Sequence, residues 1–455
     1  MADRPNNILT LIVSPLLIAF SLNVFGLHLA ASVISTVVYI IFVARFYTRS
    51  FDLAVATSGL CFMILLAIIG GVTVEAGAYI VEQERDSYGN GSTFYLVVAN
   101  IVYLSFLFNR FESIQRFTTL KKLSDKTFWS FALIYGVCLS AILLDLYSRQ
   151  ISIFTQSDLR FSYWRDESRN PLVRIFAGTL YLGFGIIGVA LRSDLGFGHR
   201  LMARVLLFFG LCFYLLIGEK FSGYFLPVTF FLMGRFSLNT SKSAGLIRLK
   251  QFLQPLILGG VAVVCLVALH YSNLDPLDKT LSVGNQVLTR LALQGHVWWI
   301  TFDINYSLSV YDRLEQILTE IGSIEFAFFK IENSSSAQHG VKFLMGLIGN
   351  ENNIQNWYNA GVIFSGGYPA IGLYCFGFLG LIVLQFVLGC LTGYFLKKLL
   401  EEFAYASIVG IIICEKIVAA LFEFNFSGDI VKLLSAKNII ALAFFLTIQI
   451  RRNEK

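Results

Sequence analysis

Two stretches, Arg290-Leu291-Ala292-Leu293-Gln294-Gly295-His296-Val297-Trp298-Trp299 and Gly361-Val362-Ile363-Phe364-Ser365-Gly366-Gly367-Tyr368-Pro369-Ala370, belong to one long polar interval, Tyr271 to Gly366, and its exit. Apolar runs flank the interval on both sides, and apolar residues fill most of the remaining chain. The 455 residues are 56% hydrophobic and only 14% charged, with mean hydropathy +0.69. Soluble domains carry about 25% charged residues. Composition therefore excludes an ordinary soluble enzyme and leaves an all-α polytopic membrane protein, residues 1–455 forming a single integral membrane domain. The polar interval, 271–366, reads as one large outward loop laid over charges sunk into the outer half of that domain.

Apolar runs of about 20 residues give about twelve spans. They fall near 8–25, 28–46, 53–80, 93–109, 128–147, 172–191, 202–218, 224–239, 252–270, 368–395, 403–424 and 438–450. The third and tenth are long, so tilt or a break is expected, with Gly70-Gly71 as the place for one in the third. The first run lacks a small-residue cleavage site and reads as a retained helix. An even number of spans puts both termini on one side. More than half of the 35 Lys and Arg residues then lie in short segments on that side, among them Arg45, Arg49, Arg110, Lys121, Arg192, Arg235, Lys397 and Lys398. The positive-inside rule makes it cytoplasmic. The opposite side receives 81–92, the first large loop 148–171, the tight turn 219–223, the interval 271–366 and 425–437.

The seven cysteines all sit inside apolar runs, so no disulfide framework is implied, and no spacing suits zinc. Basic residues are scattered over short loops, which gives no nucleic-acid surface. Inside the long interval, Leu314, Ile317, Leu318 and Ile321 recur at helical spacing, as an amphipathic helix lying on the membrane or the bundle would require. A second helix is expected through Leu293–Trp299, with Arg290, Gln294 and Trp298 four apart on one face. A third is expected over Gly340–Gly349.

The loop 148–171 runs against the charge trend. It holds Arg149, Arg160, Arg165 and Arg169, and Arg174 opens the next span. The guanidinium fork matches phosphate oxygens, so these residues form either a site for an anionic substrate or pairs with Asp158, Asp166, Glu167 and lipid headgroups. Arg174 is expected to be partly buried. Tyr163 and Trp164 belong either to an interfacial aromatic belt or to a sugar-stacking surface. Glu219 and Lys220 sit in a near-absent loop at the outer boundary, as a local ion pair or as an acid and a phosphate ligand. Glu415 and Lys416 lie mid-span, where each charge costs roughly 2.5–3.5 kcal/mol on insertion scales. Adjacent residues point about 100° apart, so each is expected to have its own partner. His296 is a further acid–base candidate.

Arg160-Phe161-Ser162-Tyr163-Trp164 before a Pro-headed span, Gly218–Gly223, Arg290 to Trp298 and Gly361 to Ala370 together resemble the O-antigen polymerase (Wzy) family, over roughly residues 150–395. The resemblance implies a GT-C-like glycosyltransferase of the bacterial inner membrane that joins oligosaccharide repeat units carried on undecaprenyl pyrophosphate at the periplasmic face, alongside a chain-length co-polymerase of the Wzz type. It implies that Arg160, Arg165, Arg174, Lys220 and Arg290 hold the pyrophosphate, and that Asp158, Glu219 or His296 serves the acceptor hydroxyl. Tyr163, Trp164, Gln294, Trp298 and Tyr368 would line the sugar path. No metal or other cofactor is expected. Family members with Arg-plus-Gly repeats in two outward loops differ from this chain, where only one outward loop is long. A ligase of the same enzyme group and a lipid-linked oligosaccharide flippase are the competing readings.

Overall fold

A computed structural model describes residues 6–80, 83–112, 121–149, 170–193, 195–217, 219, 221–237, 291–329, 339–349, 354 and 367–453. Helices α1 (Asn6–Val24), α2 (His28–Arg49) and α3 (Phe51–Glu75) lead into a hairpin, β1 (Tyr79–Ile80) with β2 (Arg85–Asp86), then α4 (Ser92–Glu112) and α5 (Asp125–Ser148). The hairpin is antiparallel, with Tyr79 opposite Asp86. Next, α6 (Pro171–Thr179) passes through a 3-10 turn, Leu180–Gly183, into α7 (Phe184–Arg192), followed by α8 (Phe197–Leu216) and α9 (Phe221–Phe236). The polar interval supplies α10 (His296–Asn305), α11 (Val310–Phe329) and α12 (Gly340–Ile348). The chain closes with α13 (Gly367–Tyr405), α14 (Ile408–Ser427), α15 (Ile430–Leu433) and α16 (Ala436–Asn453).

Among the described residues, seven helices are long and apolar enough to cross a membrane: His28–Arg49, Phe51–Glu75, Ser92–Phe111, Asp125–Ser148, Pro171–Arg192, Phe197–Leu216 and Tyr368–Tyr405. Helix α14 is equally long but carries Glu415, Lys416 and Glu423, and α9 has 16 residues. Every expected span except 252–270, which lies outside the described residues, coincides with a helix. The class this defines is a multi-pass α-helical membrane protein.

Helix ends follow local chemistry. Ser50, Ser124 and Ser407 cap α3, α5 and α14, each side chain accepting a backbone N–H of the first turn. Asn170 caps α6 with Pro171 in the first turn. Gly428 ends α14 in the left-handed conformation, at φ 65°. Two expectations need correction. The third span ends at Glu75, not near residue 80, and runs unbroken through Gly70-Gly71. The eleventh starts at Ile408, because Phe403–Tyr405 still belong to α13. The sixth, read as one apolar run near 172–191, contains a 3-10 turn at Leu180–Gly183.

The core gathers around α4 and α13, which run parallel. Gly389 lies on the Tyr103 carbonyl and Gly393 on that of Leu107, where a Cβ on Gly393 would come within 2.6 Å of the oxygen. Small residues four apart let backbones close in this way. The expected break in the tenth run falls at Gly377, whose φ 65° and ψ −179° are accessible in practice only to glycine. Phe378 then meets Tyr95 of the first turn of α4, ring centroids 5.0 Å apart. The break is therefore level with the end of the bundle where α3 finishes and α4 starts.

Candidate functional site

At that end the chain from Leu291 to Asn305 docks on α3 and α4. A turn at Leu293–Gly295, closed by Gln294 N–H to Leu291 O (2.9 Å) and Gly295 N–H to Ala292 O (3.0 Å), lies flat on Gly70-Gly71. A Cβ on Gly70 would stand 2.5 Å from the Leu291 carbonyl and 2.6 Å from the Gly295 nitrogen. The glycine pair expected to break α3 instead gives a second backbone room to approach. The expected helix through Arg290, Gln294 and Trp298 is corrected too: the turn precedes α10, so Gln294 and Trp298 do not share a continuous helical face.

Beyond the turn, two indoles lock the segment. Trp298 Nε1 donates to Ser92 O and Trp299 Nε1 to Tyr88 O, both at 2.8 Å. Asn90 Nδ2 donates back to Trp299 O at 3.1 Å, and Tyr88 Oη to Asp303 at 2.5 Å. Arg85 lies over the Trp299 ring. Beside them, buried Glu75 accepts from Ser32 Oγ (2.7 Å), Ser92 Oγ (3.3 Å) and Thr93 N–H (2.8 Å). A carboxylate facing the first turn of α4 is favoured by the helix dipole, so this membrane-edge acid is fully engaged.

The residues singled out from the sequence divide into groups. Asp158, Arg160, Tyr163, Trp164, Arg165, Lys220 and Arg290 lie outside the described residues. Gln294, His296 and Trp298 come together in the docked segment. His296 is 1% exposed and bonded through Nδ1 to Leu293 O at 3.0 Å. Burial holds its imidazole down at about 4, with the Leu293 carbonyl pulling weakly the other way. It is neutral, shut away from solvent and bonded to the turn that precedes it. Trp298 is buried, with its indole N–H held by the Ser92 carbonyl.

Arg174 is exposed on α6, not partly buried as expected, and α6 packs on α5. Glu219 is half-buried against Gly223. Arg149 pairs with Asp145 at 2.9 Å. Tyr368 is buried with its ring 4.7 Å from that of Phe424, and its hydroxyl has no hydrogen-bond partner among the described residues.

Two arrangements were beyond sequence reading. The mid-span charges lie beside the interrupted span α6–α7. Lys416 Nζ bonds Tyr181 Oη at 3.1 Å within the 3-10 turn, and Glu415 is fully buried against Gly185 in the first turn of α7, where a Cβ would collide with its carboxylate. Tyr135 Oη donates to Leu180 O at 3.0 Å, satisfying a carbonyl at the interruption. The two side chains thus lie near opposite ends of one helix break. The second arrangement is Arg313. Nη1 donates to Leu373 O (3.1 Å) and Tyr374 O (2.8 Å), and Nη2 to Asn305 O and Oδ1 (both 2.9 Å).

Among the described residues no cluster of His, Cys, Asp or Glu is arranged to hold a metal ion. A family model described as a family of unknown function (DUF6418) matches residues 334–442, which take in α12 to α15, Gly377 and Glu415-Lys416 but not the docked segment. Comparison with curated proteins and with solved structures finds no match.

Proposed function

We propose that this protein is a glycosyltransferase of the O-antigen polymerase type, joining polyprenyl-pyrophosphate-linked oligosaccharide repeat units on the extracytoplasmic face of a bacterial cytoplasmic membrane. The observation that carries the reading is the docked segment. Glycine contacts and two indole hydrogen bonds hold Leu291, the residue after Arg290, against the end of α3. A motif held at a bundle end is what recognition of a lipid-borne headgroup requires.

In this reaction the acceptor hydroxyl oxygen bonds to the anomeric carbon of the donor sugar while the anomeric carbon–phosphate oxygen bond breaks. The lipid pyrophosphate leaves with the electron pair, and the hydroxyl proton passes to a carboxylate. Preorganised cations stabilise the charge developing on the leaving group; Arg160, Arg165, Arg174, Lys220 and Arg290 are assigned to it. Asp158 and Glu219 are assigned to the acceptor proton. Exposure of Arg174 leaves its guanidinium open to a headgroup. A single displacement inverts the anomeric centre.

The test is separate Arg174→Ala and Arg290→Ala substitutions in the native host. Both variants are expected to remain in the membrane and to leave lipopolysaccharide carrying one repeat unit in place of a ladder. Full ladders from both would overturn the residue assignment, and loss of all repeat units would point to the ligase reading. The flippase reading draws on one observation, the interrupted span with Glu415 and Lys416 beside it, since transporters place broken helices around midplane sites. Lipid-linked units trapped on the cytoplasmic leaflet after deletion would favour it.

A further inference from the structure

Helix α11 is inside out for a helix that meets water. Its start is a capping box: Ser309 Oγ accepts the Asp312 N–H (3.2 Å) and Asp312 Oδ2 accepts the Ser309 N–H (2.8 Å). From there Arg313, Gln316, Glu320 and Ser323 turn inward, while Glu315 stays exposed at the edge of the outward face. Arg313 reaches α13, Glu320 accepts from the Gly340 N–H that opens α12, and Gln316 and Ser323 are buried beside them. The apolar row Val310, Leu314, Leu318 and Ile321 recurs every three or four residues and points away from the protein, with Val310 74% and Leu318 68% exposed.

The surroundings decide what covers this row. Arg313 grips carbonyls of Leu373 and Tyr374, and immediately beyond them α13 presents its own outward apolar row, Phe376, Leu379 (82% exposed) and Val383. Those residues belong to a helix that is long and apolar enough to cross the bilayer. Helix α11 also packs on α15, at the end of α14. The apolar row of α11 is therefore laid out beside a lipid-facing surface and between the ends of two apolar helices.

We infer that α11 is an in-plane membrane anchor whose Val310–Leu314–Leu318–Ile321 face is immersed in the acyl chains at the bilayer boundary. Interfacial helices bury an apolar face roughly 5–10 Å into that zone. Here the opposite face is held by the protein, so one helix joins the bilayer to the Gly377 break and to α12.

The test is photocrosslinking. p-Benzoylphenylalanine is placed at Leu314 or, separately, at Leu318, and each protein is reconstituted in phosphatidylethanolamine–phosphatidylglycerol vesicles. Asp86, exposed on the β-hairpin, is the control position. Both α11 positions face outward, so neither substitution disturbs packing. Illumination is expected to give phospholipid adducts at both α11 positions, several-fold above the Asp86 level. Adducts to a second protein chain, or lipid adducts no more frequent than at Asp86, would overturn the inference. The readout needs no catalytic activity and stands apart from the polymerase reading.

Discussion

Glu320 shows how one side chain in the polar interval carries a measurable pH dependence. Burial raises its carboxyl to about 6, against the opposing pull of the Gly340 N–H at 2.6 Å and Gln316 Nε2 at 2.8 Å. Asp429 adds a small push in the same direction as burial. A carboxyl that titrates higher in the folded than in the unfolded chain holds its proton more tightly when folded. Junction stability is then highest below the ordinary carboxyl value of 4.5, falls as pH rises from there to about 6, and is flat above. The full change is about 2 kcal/mol, roughly thirtyfold in a local opening constant. Glu320→Gln keeps an oxygen for the Gly340 N–H and removes the titration. Hydrogen exchange of the first amides of α12, corrected for intrinsic rates, is expected to lose protection over this window in the wild type relative to the variant. The His339–Asp429 contact at 3.9 Å is retained in both proteins and cancels in the comparison. Equal pH slopes in the two would refute the assignment.

Among the elements, α13 shows what a sequence can and cannot announce. An apolar run too long for one straight span foretold a break, and Gly377 supplies it. Leu373 and Tyr374 would, in an unbroken helix, accept from residues 377 and 378. The break falls among these residues, and Arg313, sixty residues upstream, donates to both carbonyls. Nothing near Arg313 in sequence signals this, because its partners are backbone atoms of a distant helix. The same limit hid the role of Gly70-Gly71, which spacing presents as a weak point in α3 and the fold uses as a bed for Leu291–Gly295. By contrast, the helical spacing of Leu314, Ile317, Leu318 and Ile321 is a local feature and was legible, although only the fold shows that Ile317 packs on the core while the other three face outward. Arg313→Ala is expected to lower thermal stability in detergent by about 1–3 kcal/mol for each carbonyl left unpaired. Arg313→Lys should recover part of that, since an ammonium group keeps the charge but not the planar fork. Melting followed by fluorescence-detected size exclusion measures both, and an unchanged midpoint in Arg313→Ala would remove the guanidinium from its role at the break.

At the scale of the whole molecule the two ends of the bundle differ in kind. One end gathers Glu75, the first turn of α4, the Gly377 break and the docked aromatic segment. The other gathers basic residues on helix C-termini. Arg192 donates to Ser237 O (3.2 Å) and Phe403 O (2.9 Å), and Arg235 to Leu191 O (2.9 Å), so the last turns of α7, α9 and α13 are tied together by guanidinium groups. Cations at helix C-termini are favoured by the dipole as well as by their hydrogen bonds. Some of the basic residues behind the positive-inside expectation thus also tie helix ends together, at the end which that expectation places toward the cytoplasm. An orientation with the docked segment outside is what the polymerase reading requires, and it can be tested directly. An epitope inserted in the exposed turn after Ser307 should bind antibody in intact spheroplasts. One fused after Lys455 should bind only after permeabilisation. The reverse pattern would put the docked segment on the cytoplasmic side, away from an extracytoplasmic lipid-linked sugar, and would remove the polymerase reading together with the topology.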